Sequence, residues 1–512
     1  MRRFRRKAGC LLMALLLLPA LTGCTRVPEE EREPAPALSV PEVPWAAPDG
    51  DGVVGQERVA MLYLNGTGSL QMIPREITLP VAELHDLVKT LVTVLMNYPT
   101  DSEIAPWGGE RTITLYGDQP VEVSGSICTV NLGTAALQLG SSDFYQMCVG
   151  LATTLCSLDE ISFVNVLVAD QSVGLDVSGT LPMGSLTGHP DENLPVLWEQ
   201  MEAKRTPLGE DASQIPLSAM VTLYYPLTDG QGIGCENRIL NFGGQTPSQV
   251  ALGLLQAIGD VRKNQIGTAN LPDLAGVMSY DPLTSELTEG GKLVTLSFRR
   301  EIDGLLEAWQ TDLASLAAAV TMTLTTFMPG VSAVSFRVED SPLTELRGAP
   351  GQVTALGGLF RRNMFQSWLR GSAVVYFARD GKLKACQRPM NRQRTGTPRA
   401  LLTELMNGPT AREKAGGMEA SMPPELREDD ILGIAAVGDT LLINLSESFR
   451  SSIQAWGRER EAVLCYSMIN TLGMNCRMSR ICFFFEGKQE EYIAGDIYWA
   501  GEFLYNPELG KN

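Results

Sequence analysis

Apolar residues recur along residues 84–95 at the spacing of one helix face: Leu84, Leu87, Val88, Leu91 and Leu95. The same spacing returns at Val250, Leu254 and Ile258, and again at Leu401 and Leu405 beside Leu402 and Met406. Each of these helices is preceded by proline, at Pro80, Pro247 and Pro398, a residue suited to the first helical turn because its missing N–H would be unpaired there. Thr246 with Gln249 makes a capping box. The stop Met96-Asn97-Tyr98-Pro99-Thr100 reappears as Met406-Asn407-Gly408-Pro409-Thr410, identical at four of five positions.

Strand patterns surround these helices in a fixed order. A short apolar run with a tyrosine comes first: Val59–Leu64 with Tyr63, Met220–Tyr225, and Ala373–Phe377 with Tyr376. An alternating strand follows the helix, as Val130-Asn131-Leu132, Leu296-Ser297-Phe298 and Ile443-Asn444-Leu445. Alternation predicts a sheet with one covered face. A longer apolar stripe then reads as a second helix: Phe144, Met147, Cys148, Leu151, Leu155; Trp309, Leu313, Leu316, Val320, Leu324; and Cys465, Met468, Ile469, Leu472. A Thr-Leu pair stands near its end each time, at Thr154-Leu155, Thr323-Leu324 and Thr471-Leu472. The unit closes on Val164/Val166/Val168, Val334/Phe336/Val338 and Ile481/Phe483/Phe485. One sheet with both helices on one face buries these stripes. The expected fold class is therefore α+β, three tandem two-layer α/β sandwiches.

Composition adds the ends of the chain. Arg2, Arg3, Arg5, Arg6 and Lys7 precede the apolar run Leu11–Ala20, which is too short to span a bilayer, and Leu21-Thr22-Gly23-Cys24 resembles a bacterial lipobox. The resemblance implies cleavage before Cys24 and diacylglycerol on its sulfur. The chain is thus expected to be extracytoplasmic, lipid-anchored to the outer face of the membrane. The expected division is a signal peptide at 1–23 and a Pro/Glu-rich linker at 24–57, which buries too little apolar surface to fold. Units at 58–178, 218–340 and 372–493 follow, with connectors at 179–217 and 341–371 and a tail at 494–512. Short helices are expected near Val196–Met201 and Leu359–Leu369. Asp49-Gly50-Asp51-Gly52 lacks the further ligands of a calcium loop and reads as flexible linker.

The Tyr-containing strand, the Gly-Pro-Thr stop, the Val-Asn-Leu strand and the Thr-Leu helix together resemble the GerMN domain family of sporulation and spore germination proteins. Residues 397–487 are the nearest match, with Asn407-Gly408-Pro409-Thr410 intact; the first copy departs at Tyr98 and the second at Ile258-Gly259-Asp260. The resemblance implies a fold similar to the ring-building motif. It also implies a non-enzymatic, lipid-anchored protein of spore formation or germination that acts as a scaffold or assembly factor at the membrane or spore envelope. The rival readings are a ligand-binding lipoprotein and a cell-wall hydrolase.

Candidate chemistry is sparse. His85 and His189 lie in different segments, without ligand or base spacing, so no metal and no cofactor is expected. Carboxylate pairs such as Asp159-Glu160 and Asp429-Asp430 read as solvated surface. Cys128, Cys148, Cys156 and Cys465 fall on apolar faces as buried thiols, while Cys476 and Cys482 flank a turn and are a candidate disulfide.

Charge separates along the chain. The formal net charge is -18, which argues against nucleic acid as a partner. Residues 59–178 hold 13 acidic and 3 basic residues, whereas residues 347–400 hold 11 basic residues and one acid, Asp380. Arg379, Lys382, Lys384, Arg388, Arg392 and Arg394 are therefore the candidate binding residues. A protein partner, a second copy of the chain, lipid headgroups or an anionic wall polymer would fit them.

Overall fold

The structure, a computed structural model, describes residues 45–53, 57–66, 72–80, 84–97, 104–174, 181–189, 217–227, 231–260, 274–391, 397–437, 439–476 and 478–506. Cys24, Arg392, Arg394 and the segment around Val196–Met201 lie outside these residues.

Three antiparallel hairpins recur, at Glu57–Gly66 with Met72–Pro80, Leu217–Pro226 with Ile233–Phe242, and Arg370–Arg379 with Lys382–Asn391. Each is followed by a helix: Leu84–Asn97, Pro247–Gly259 and Pro398–Met406. Then comes a parallel strand pair, Ile127–Leu132 with Phe163–Val168, Lys292–Phe298 with Val331–Val338, and Thr440–Leu445 with Arg480–Phe485. The helices Ser141–Leu155, Leu313–Phe327 and Arg458–Cys476 cross between the paired strands and pack on the hairpins. The fold is α+β. Contrary to the single sheet expected, each hairpin forms its own ladder and does not join the parallel pair.

Two of the three prolines open their helices, and Thr246 and Gln249 form the capping box. Pro80 instead ends a strand, opposite Glu57 at the end of an edge ladder, where its missing N–H removes no central bond. The apolar stripe from Trp309 to Leu324 is interrupted. One helix covers Glu301–Ala308, and a new one starts after Asp312, whose carboxylate accepts from the Ser315 amide at 2.6 Å.

Three repeated contacts explain the repeated residues. The tyrosine of each hairpin donates its backbone N–H to the threonine of the long helix at 3.0 Å: Tyr63 to Thr154, Tyr224 to Thr323, and Tyr376 to Thr471. After each closing strand the chain turns through two residues of positive φ: Ala169-Asp170, Glu339-Asp340 and Glu486-Gly487. The asparagine of the Val-Asn-Leu pattern holds that turn. Asn131 Oδ1 accepts from the Asp170 amide at 3.0 Å, and Asn444 Oδ1 from the Gly487 amide at 3.0 Å. Ser297 is shorter, and its buried hydroxyl has no hydrogen-bond partner among the described residues.

The alternating polar residues are not solvated. Ile127–Leu132 and Thr440–Leu445 are buried at every position, so these sheets are covered on both faces. In the first unit the cover is the next hairpin: Asn165 donates to Thr222 at 2.8 Å and accepts from Ser185 at 2.7 Å. A buried ion pair reinforces this stacking. Arg362, from residues 341–371, pairs with Glu122 of the first unit and donates to Tyr224 of the second at 3.1 Å. One apolar cluster accordingly runs from Ala60 to Leu369, while a second, from Ala373 to Trp499, belongs to the third unit.

Both ends assigned outside the third unit are part of it. Gly52–Val53, from the expected linker, pairs in parallel with Ile431–Val437. Phe503–Leu504, from the expected tail, pairs with Arg480–Phe485, and Trp499 is fully buried against Phe483 and Phe485 at ring distances of 5.3 and 5.6 Å. The Leu359–Leu369 segment forms single 3-10 turns rather than one helix.

Candidate functional site

The basic stretch folds as the third hairpin. Asp380-Gly381 make its two-residue turn, with φ of 51° and 73° as a type I′ turn requires. Register then decides where each cation goes. Lys382 pairs with Arg379 at the tip, Lys384 with Phe377 and Arg388 with Ala373. Phe377 and Ala373 belong to the buried core, so Lys384 and Arg388 share the face turned to the helices.

Arg379 and Lys382 are exposed at the tip, and Lys384 is half-buried. Arg388 is a correction to the expected binding set, because it is buried and engaged by its own unit. Its guanidinium pairs with Glu404 at 2.6 Å and Glu413 at 2.5 Å, donates to the Gly408 carbonyl at 2.8 Å, and stacks 4.6 Å from the Phe377 ring centroid. Burial opposes its charge, and the two carboxylates overcome that, holding the guanidinium above its ordinary value. Burial likewise opposes ionisation of Glu413. The hydrogen bonds from Arg388 and Thr410 prevail, so the carboxyl lies below the usual range.

These contacts account for the Gly-Pro-Thr stop. Gly408 takes φ of 70° at the helix end, a conformation that favours glycine, and presents its carbonyl to Arg388. Thr410 and Glu413 form a reciprocal capping box on the helix Ala411–Ala415. Glu413 thus serves the cap and the buried arginine together. The short helix brings two further exposed cations, Arg412 and Lys414, and is tied to the hairpin tip by the Ala378–Glu419 backbone pair. Sequence reading missed both, since they stand among acids and only the cap places them beside the tip. In the first unit Glu76, Asp86, Glu110, Asp118, Asp143 and Asp159 are exposed.

A cavity of about 260 Å³ lies where the three units meet, lined by Ser124, Gly234, Asn237, Arg370 and Gln387 among others. Arg370 donates to the Gln231 carbonyl at 2.9 Å and the Ser367 carbonyl at 3.3 Å, and burial holds its guanidinium below its ordinary value. No salt bridge to it occurs among the described residues.

The remaining candidates are not gathered. His85 lies on the helix Leu84–Asn97 and His189 is exposed in a loop. No group of three metal-ligating side chains occurs among the described residues. Cys128, Cys148, Cys386, Cys465 and Cys482 are buried thiols. Cys482 being a free thiol, the disulfide considered with Cys476 is not formed. Desolvation raises the Cys482 thiol to about 11. No described helix is long and apolar enough to cross a membrane.

Residues 374–491 match the family described as Germane, sporulation and spore germination. No curated protein matches. Among solved structures, the tandem GerMN domains of the sporulation protein GerM from Bacillus subtilis match at 15% identity, covering 60% of this chain and 99% of that one, with a TM-score of 0.22. The first GerMN domain of that protein matches at 13% identity, covering 22% of this chain and 82% of that one, with a TM-score of 0.19. Most of the third hairpin, the stop built on Gly408 and Thr410, and the Asn444 turn fall inside residues 374–491, the segment that matches the Germane family of sporulation and spore germination.

Proposed function

We propose that the chain is a non-enzymatic, lipid-anchored extracytoplasmic protein that binds and assembles during spore formation or germination. The lipobox at Cys24 supports the anchor, and the Germane segment supports the process. The observation that carries the assembly reading is the contrast between the acidic first unit and a local cationic patch on the third, which over residues 372–493 holds 16 basic and 15 acidic residues. Arg379, Lys382, Arg412 and Lys414 are exposed on the third unit, and six carboxylates are exposed on the first. Complementary surfaces on two units of one chain allow a heterologous contact between copies that is able to close into a ring.

Each exposed pair contributes only about 0–1 kcal/mol, so several act together, and salt weakens them over a screening length near 10 Å at 0.1 M. Sedimentation of the full chain in detergent at low and high salt tests the reading. Association at low salt should be lost at high salt and in the Arg379→Glu, Lys382→Glu double variant. Arg388 is left intact because its replacement would damage the fold. Salt-insensitive monomers of both proteins would refute the reading.

A further inference from the structure

The loop just past residues 374–491 is closed on itself and pinned to the third unit's long helix. Its ends meet where the Trp499 amide donates to the Glu491 carbonyl at 3.0 Å. Glu461 of the helix Arg458–Cys476 is buried and accepts from the Trp499 indole at 2.9 Å and the Ala494 amide at 3.1 Å. Arg458, on the same helix, pairs with Asp496. The loop is thus held at Glu491, Ala494, Asp496 and Trp499, and its outward side chains stand on a fixed backbone.

Two of those side chains are aromatic and left in water. Tyr492 is 58% exposed and Tyr498 50% exposed, although Trp499 beside them is fully buried. Their ring centroids stand 5.7 Å apart with the planes at 59°. A Cβ at Gly501 would come 3.3 Å from Tyr498 Cδ1, so that ring lies close to the backbone there. Two tilted rings at this spacing make an open corner, and each face presents the negative side of the aromatic quadrupole.

The surroundings fix the sign of a ligand. Residues 486–502 hold five acids, Glu486, Glu490, Glu491, Asp496 and Glu502, and one base, Lys488. Asp496 and Glu502 are matched by Arg458 and Arg480. Glu491, exposed and next to Tyr492 in the chain, has no ion pair among the described residues. A cation is attracted by the rings and by this carboxylate together, whereas an anion is repelled by both. Ring faces satisfy no N–H donors, so the corner suits a cation that brings none, which sets a quaternary ammonium above a lysine or arginine side chain.

We propose that Tyr492 and Tyr498 form a binding site for a quaternary ammonium group of the choline type. Such a cation is attracted to an aromatic face within about 6 Å of its centroid, and rings 5.7 Å apart bring both faces within reach of one trimethylammonium. The site is separate from the hairpin tip and does not depend on assembly of the chain.

Ligand-observed magnetic resonance on the full chain in non-ionic detergent tests it, with choline, phosphocholine and neohexanol, the uncharged isostere of choline, as probes. Choline should bind saturably, and neohexanol about tenfold more weakly. Tyr492→Leu and Tyr498→Leu should each weaken choline binding about tenfold, and the phenylalanine variants less than about threefold. Glu491→Gln should weaken choline and leave neohexanol unchanged. All these positions are exposed, so the variants should melt as the wild-type chain does. Phosphocholine separates two sources of the same cation: binding kept with it assigns the ligand to a phosphate-linked headgroup, and binding lost with it to the free cation. Choline that fails to saturate, neohexanol that binds as well as choline, or choline binding that survives both leucine variants would overturn the proposal.

Discussion

The backbone N–H of Tyr376 donates to the Thr471 hydroxyl across 95 residues of sequence, at 3.0 Å in a buried setting. The equivalent bonds from Tyr224 to Thr323 and from Tyr63 to Thr154 fasten each long helix to the first strand of its own hairpin. Two repeated features of the sequence are thus two ends of one contact.

Thr471→Val keeps the side-chain shape and removes the acceptor, leaving the Tyr376 amide buried and unpaired. A loss of about 1–3 kcal/mol is expected. Denaturant unfolding of the full chain, followed by a probe in the third unit, measures it. No change in midpoint would mean that packing alone seats the helix.

The Arg362–Glu122 pair should behave as a buried charge contact. Both side chains are nearly inaccessible, at 1% and 3% exposure. Arg362→Met alone strands a carboxylate and should cost about 3–5 kcal/mol, while adding Glu122→Leu should recover much of that loss. Equal destabilisation by the single and double variants would show that Arg362 acts through its contacts with Tyr224 and Thr326.

Docking of residues 48–53 on the third unit should depend on pH in one direction. Hydrogen bonding to Arg399 holds the Asp51 carboxyl below its ordinary value despite partial burial. Its contribution is therefore fully present above the unfolded carboxyl value, about 3.9, and is lost as pH falls through the lower docked value. Amide protection at residues 48–53, meaning exchange relative to its intrinsic rate at each pH, should be constant from pH 8 to 5 and fall only below about 4. Asp51→Asn should abolish that acid transition. An onset near neutral pH would point to another titrating group.

Much of the fold was legible because its signals are local and occur three times. Helix stripes such as Leu401 and Leu405, the capping box at Thr246, and the strand at Ile481/Phe483/Phe485 all follow from near-neighbour periodicity. The rest depended on partners far away. Asp51 resembles linker until Arg399, 348 residues later, supplies its counter-ion. Trp499 resembles a tail residue until the aromatic side chains of Phe483 and Phe485 enclose it. Arg388 stands in a basic run, and only strand register turns it inward toward Glu404 and Glu413. Polar Asn165 and Asn444 suggest a wet sheet face, but Thr222 of the next hairpin and Pro48, just before the Gly52–Val53 strand, cover them.

The proposed assembly outside the cytoplasm should support spore formation or germination in the host cell. The most direct measurement is the yield and germination rate of heat-resistant spores from the host strain lacking the chain, complemented with the wild-type chain or with the Arg379→Glu, Lys382→Glu variant. The account expects a defect on deletion, rescue by the wild-type chain, and poor rescue by the charge variant at equal protein level. Normal spore yield and germination in the deletion strain would contradict it.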